Sequence, residues 1–127
     1  MKLRNMYLLN TALALLFALG LLLMTDLNLE MFGFTITSDT QLLAKFIAVE
    51  LTVGGLVTLF ARDVTDPKAR SAINLSILAA SVLGFIVSLD GTLSGVMSVV
   101  GYLPTAIYAI LAIGFAYFQF FAPPEQA

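Results

Sequence analysis

Long apolar stretches without a single charged side chain dominate the pattern of this chain. Residues 5–25, 71–89 and 91–124 contain no Asp, Glu, Lys or Arg. A bilayer core about 30 Å thick takes roughly 20 helical residues to cross. The first two runs therefore each predict one membrane-spanning helix, at about 5–24 and 67–89.

The third run is too long for one crossing, and Gly101 and Pro104 interrupt it. We therefore expect a short interfacial segment at about 93–100. A helix at about 102–121 follows, because proline is tolerated in the first turn of a helix.

One more helix is predicted at about 41–61, where only Lys45 and Glu50 interrupt an otherwise apolar run. Ser38 and Gln41 have the spacing of a capping box at its start. In the same way, Asp66 followed by Pro67 predicts the N-terminal cap of the helix at 67–89.

The composition supports this interpretation. The 127 residues are 60% hydrophobic and 11% charged, whereas soluble domains have about a quarter charged residues. This excludes an ordinary soluble globule, a disordered chain and a nucleic-acid binder, which needs a basic patch. We predict an all-α fold, a single domain of four transmembrane helices in contact with the lipid bilayer.

The basic residues predict the orientation of the bundle. Five of the six lie before the first helix or between the second and third: Lys2, Arg4, Arg62, Lys68 and Arg70. The loops at 25–40 and 90–101 contain none. By the positive-inside rule, we expect a multi-pass protein of a bacterial inner membrane with both termini cytoplasmic. The first apolar run is longer than a typical signal-peptide core, so we interpret it as a retained helix.

The residue types limit the chemistry. The chain has no His and no Cys, which excludes disulfides, His/Cys zinc sites and nucleophiles or bases of these types. It contains no phosphate-binding glycine loop and no carboxylate cluster with metal-ligand spacing. We therefore predict no enzyme activity, no metal and no cofactor. Aromatic residues at 115–121 are typical of an interfacial belt.

Glu50 is the candidate for function, because a carboxylate at bilayer depth is costly and functional by default. Lys45 is a poor partner, since five residues place the two side chains roughly 140° apart on a helix. We expect Glu50 to face the bundle and to hydrogen-bond Ser81 or Tyr108. It would then either make one structural hydrogen bond or exchange a proton near neutral pH.

Small residues recur every four positions in the third spanning helix. Such stripes let helix backbones approach closely in lipid. We therefore expect this helix to be the central one of the bundle. The stripe consists of Ala72, Ser76, Ala80, Gly84 and Ser88.

Several short segments, taken in order along the chain, resemble a group of small uncharacterised bacterial four-helix membrane proteins, distantly similar to the DoxX-like superfamily. The segments are Phe32-Gly33, Leu59–Asp63, Asp66–Arg70, Leu93–Gly95 and Leu111–Phe118. The resemblance implies four helices and cytoplasmic termini, and it implies no activity and no catalytic residues.

Two functions remain open at this level. The first is a non-enzymatic accessory or structural subunit that packs against other subunits of a larger membrane complex. The second is a small homo-oligomeric, proton-coupled transporter that uses Glu50.

Overall fold

A computed structural model describes residues 2–123, and within them the chain is all-α. Four helices are long and apolar enough to cross a membrane. The elements are α1 (Leu3–Leu23), the short α2 (Thr25–Met31), α3 (Ser38–Ala61), α4 (Pro67–Leu93), a 3₁₀ turn (Val99–Gly101) and α5 (Tyr102–Phe120).

The caps explain where two of the spanning helices begin. Asp66 caps α4 as expected, and its side chain accepts a hydrogen bond of 2.7 Å from the backbone N–H of Ala69. At α3 the expected box of Ser38 and Gln41 is wrong. Thr37 is the N-cap instead, and its hydroxyl and that of Thr40 each accept from the other residue's backbone N–H.

The spanning helices pair as two hairpins. α1 packs along α3, and α4 packs along α5, whereas the two hairpins touch each other much less. One end of the bundle carries residues 24–37 and 94–101, and we call it the α2 end. The other carries residues 62–66 between α3 and α4, and we call it the turn end.

The apolar core lies toward the turn end, where the two hairpins meet. Its buried members come from α1, from the end of α3 and from α5: Leu3, Met6, Tyr7, Ala61, Leu111, Phe115 and Phe118. Phe115 and Phe118 therefore belong to the core and not to an interfacial belt. The neighbouring Tyr117, Phe120 and Phe121 are exposed.

The position of α4 differs from the prediction of a central helix. α4 packs mainly against α5 and makes few contacts with α3. Its most buried polar residues, Asn74, Ser81 and Ser88, recur every seven positions and keep nearly the same face, since seven residues turn about 700°. A stripe with a spacing of four instead winds about 40° per step. That stripe therefore begins on the outer face and enters the interface with α5 only at its end.

Hydrogen bonds made by polar side chains join the helices within the apolar interior. Between α1 and α3, the Thr11 hydroxyl lies 2.9 Å from that of Thr58 and 3.1 Å from the Gly55 carbonyl. Between α4 and α5, the Thr105 hydroxyl donates to Ser88 at 3.0 Å. Such bonds hold helices together in lipid, where apolar burial gives little driving force.

One buried hydrogen bond joins the two hairpins directly. The Tyr7 hydroxyl on α1 donates to the side-chain oxygen of Asn74 on α4 at 2.8 Å. We expect Tyr7→Phe and Asn74→Ala each to lower the free energy of unfolding by about 1–2 kcal/mol. The double variant should lose less than the sum, because both changes remove the same bond. Unfolding by dodecyl sulfate in mixed micelles measures these values, and strictly additive losses would show that the bond contributes nothing.

Candidate functional site

A cavity of about 350 Å³ lies between α1, α3 and α5 and extends from the α2 end toward the apolar core. α3 and α5 hardly touch, so the space between them is not filled by side chains. The spanning helices supply most of the wall: Asn10, Leu13, Ala14, Phe17 and Leu21 from α1; Thr40, Leu43, Ala44, Ile47 and Leu51 from α3; and Pro104, Ile107, Tyr108 and Leu111 from α5.

The α2 end of the cavity is covered by a roof made of Asn28, Leu29, Phe32, Phe34 and Met97. Two hydrogen bonds hold this roof together. The backbone N–H of Ser98 donates to the Phe32 carbonyl at 2.7 Å, and the Ser98 hydroxyl donates to the Met31 carbonyl at 2.6 Å. The loop after α1 therefore folds back over the bundle.

The left-handed backbone at Gly33 lets the chain of the roof turn where it meets residues 94–101, which connect α4 and α5. Its φ is +86°, and a Cβ there would lie 3.1 Å from the backbone nitrogen of Ser98. A side chain is disfavoured at this φ and would also crowd Ser98 in the connection between α4 and α5.

The polar groups in the cavity wall are mostly occupied by the protein itself. The Asn28 amide donates to the carbonyls of Gly20 and Met24 at 3.0 and 2.9 Å, which closes the C-terminal end of α1. Asn10 donates to the Thr58 hydroxyl at 3.2 Å. The cavity thus presents an apolar surface to anything that enters it.

Glu50 does not take the predicted position. It lies midway along α3 and is exposed, and within residues 2–123 it makes no hydrogen bond to Ser81 or Tyr108. At Gly54, one turn further along the same side of α3, no atom of the described part of the chain lies within 4 Å of where a Cβ would be. This side of α3 is therefore uncovered.

The other three residues grouped with Glu50 lie apart from it. Lys45 is exposed and lines a shallow groove near the α2 end together with Asp26 and Gln41. Ser81 is buried on α4. Tyr108 lines the cavity, so the structure does not assemble the four side chains into one site.

The predicted small-residue stripe divides into two parts. Ala72, Ser76 and Ala80 are exposed, whereas Gly84 and Ser88 face α5. A Cβ on Gly84 would lie 2.6 Å from the Tyr108 ring, so the two helices approach closely at this point.

The cavity was not predicted from the sequence, in which charged and polar residues stand out as candidate sites. Its wall consists of ordinary apolar residues that also suit a lipid-facing or core position. The one available signal was the crowding of apolar residues in the loop at 27–36, six of which are large, because such a loop tends to cover a surface.

Within residues 2–123, no group of three or more acidic residues is placed to hold a metal ion. Two ion pairs, Arg4 with Asp63 at 3.3 Å and Arg62 with Asp63 at 3.1 Å, lie on the exposed surface of the turn end. Exposed pairs of this kind contribute little to stability.

Comparison of the chain with protein-family models, curated proteins and solved structures finds no match. The resemblance to DoxX-like proteins therefore stays a hypothesis that depends on the short motifs alone.

Proposed function

We propose that this chain is a non-enzymatic subunit of a larger membrane complex and that the side of α3 carrying Glu50 binds a partner helix. The observation behind the proposal is the exposed carboxylate at the middle of a helix long enough to span the membrane. A charged side chain facing lipid at this depth costs about 2.5–3.5 kcal/mol or more. A partner that hydrogen-bonds Glu50 removes that cost.

The shape of the surface around Glu50 supports a helix as the partner. α3 and α4 make few contacts, and the side chain at Gly54 is a single hydrogen. Small residues let a second helix approach closely in lipid. We expect the partner helix to carry an Arg, Lys, Asn or Gln at the depth of Glu50, because these side chains donate to a carboxylate.

The location of the complex follows from the charge bias and is part of the same proposal. The turn end carries Arg62, Lys68 and Arg70, and the connections at the α2 end carry no Lys or Arg. On the positive-inside rule, we propose that the turn end and both termini lie in the cytoplasm of a bacterial cell.

A proton-coupled transporter receives less support. Such a mechanism needs Glu50 in contact with a path for the substrate. The cavity is lined by other residues, and its wall is apolar.

Replacing Glu50 should separate the chain from its complex without harming its own fold. We expect Glu50→Leu to shift the protein on native gels from a large assembly to its free form, whereas Glu50→Gln, which still hydrogen-bonds, retains part of the assembly. The isolated Glu50→Leu bundle should unfold within about 0.5 kcal/mol of the parent, because Glu50 is exposed on α3.

Glu30→Leu is the matched control, since Glu30 is an exposed glutamate on α2 away from this surface. A photo-crosslinker at Val57, seven residues after Glu50, should capture one partner in constant ratio, and one at the exposed Val87 of α4 should not. Unchanged assembly of Glu50→Leu would contradict the proposal. Loss of coupled flux with assembly intact would instead favour the transporter.

A further inference from the structure

We infer that the cavity between α1, α3 and α5 binds a single acyl chain of a membrane lipid. This binding site does not depend on the proposed subunit role, but its open side adjoins the Glu50 surface, because Leu43 lies seven residues before Glu50 on the same face of α3.

The cavity follows the helices for at least the depth of one leaflet of the bilayer. The lining residues of α1 run from Asn10 to Leu21 and those of α3 from Thr40 to Leu51. Eleven residues at 1.5 Å each give about 17 Å. Half of a hydrocarbon core about 30 Å thick is about 15 Å, which is the depth that one lipid tail occupies.

The chemistry of the wall favours a hydrocarbon over water or a charged solute. A stable internal water needs two to four polar partners. The Asn28 and Asn10 amides donate to carbonyl or hydroxyl oxygens of the protein itself. A charged group would find no counter-ion, because none of the Asp, Glu, Lys or Arg residues between 2 and 123 lines the cavity. An acyl chain gains dispersion contacts with every wall and loses no hydrogen bond.

The cavity is open on the side of α3, which gives a lipid tail a way in. Leu43 and Ile47 line it and are nevertheless 61% and 54% exposed. The roof covers the α2 end, and the packed core begins at Leu111. Entry from the side, between α3 and α5, brings in whatever surrounds the bundle at this depth, and around four membrane-spanning helices this is the acyl chains of the bilayer.

The absence of tryptophan from the sequence permits a direct test. Phe17→Trp places a fluorophore in the cavity wall, and Leu16→Trp places one at the neighbouring exposed position of the same helix, at nearly the same depth. The purified variants are reconstituted in phosphatidylcholine vesicles with bromine atoms on the acyl chains, which quench tryptophan on contact. We expect the cavity tryptophan to be quenched about as strongly as the exposed one.

A filled cavity provides the decisive comparison. Leu43→Phe together with Ile47→Phe narrows the open side, so the Phe17→Trp reporter should lose most of its quenching. Leu83→Phe with Val87→Phe adds the same bulk to an exposed face of α4 and should leave the quenching unchanged. Circular dichroism and gel filtration confirm that each variant folds.

Three results would overturn the inference. If the Leu43→Phe and Ile47→Phe substitutions leave the quenching of the Phe17→Trp fluorescence unchanged, bulk lipid reaches the tryptophan without entering the cavity. Protection from brominated lipid combined with quenching by an added isoprenoid quinone would make a quinone the occupant. Protection from both combined with quenching by aqueous acrylamide would show a water-filled cavity.

Discussion

Gly84→Leu is expected to lower the free energy of unfolding by about 2–3 kcal/mol, the upper part of the range for overpacking a helix interface. A Cβ at this position would meet three ring atoms of Tyr108 at 2.6–2.8 Å. The ring must then turn into the cavity, or α5 must move away from α4. Either movement removes contacts from the most extensive interface of the second hairpin. Unfolding by dodecyl sulfate in mixed micelles gives the value.

Gly54→Leu is the matched control, because the side chain would project from α3 into open space. It removes a glycine from a helix interior just as Gly84→Leu does, so backbone effects are shared by the two variants. We expect it to be neutral or slightly stabilising in the isolated bundle. Equal losses in both variants would show that the Gly84–Tyr108 contact does not hold α4 and α5 together.

Phe115→Ala should lower the free energy of unfolding by about 2 kcal/mol, less than the 3–5 kcal/mol typical of a soluble core. Phe115 is fully buried among both hairpins, and its ring centroid lies 5.9 Å from that of Tyr7. In a bilayer the unfolded reference state still keeps the ring in an apolar medium. The loss of stability therefore comes only from the void that the missing ring leaves and from the dispersion contacts that it made.

Phe120→Ala changes the same residue type on the same helix at a position that is 63% exposed. We expect no more than about 0.5 kcal/mol from it, since lipid replaces the contacts of the lost ring. The difference in the free energy of unfolding between the two variants, measured in one micelle composition, gives the contribution of the buried ring to stability. A difference near zero would mean that the core at the turn end does not stabilise the bundle.

The spanning helices could be predicted because insertion in a bilayer leaves a strong mark on the sequence. Charges end the runs, and Asp66 with Pro67 marks the start of α4 to the residue. The choice between Ser38 and Thr37 as the cap of α3 depended on which hydroxyl reaches the third N–H. Both residues are good caps by type, so the sequence did not distinguish them.

The packing faces were much harder to predict, as α4 demonstrates. Every face of a membrane helix is apolar, so the usual contrast between a buried and an exposed side is weak. A stripe of small residues was the visible pattern. The face actually buried is the one with Asn74, Ser81 and Ser88, whose hydroxyl and amide groups avoid lipid.

Neither the outward direction of Glu50 nor the cavity could be predicted from the sequence, and the reasons differ. Glu50 was expected to turn inward because lipid does not solvate a carboxylate, an argument that assumes a bundle complete in itself. The cavity forms where α3 and α5 fail to meet. The width of that gap depends on how the two hairpins pack against each other, and a local sequence pattern does not predict this packing.

The pairing of α1 with α3 and of α4 with α5 has a consequence for how the chain is made. Each pair joins neighbouring spans, so the first hairpin can close in the membrane while the ribosome is still synthesising the second. The contacts between the hairpins require both of them, and the Tyr7–Asn74 bond among them links residues 67 positions apart. Until α4 is in place, the Tyr7 hydroxyl lacks the Asn74 oxygen as its hydrogen-bond acceptor. The Tyr7–Asn74 bond can therefore form only when the two hairpins meet.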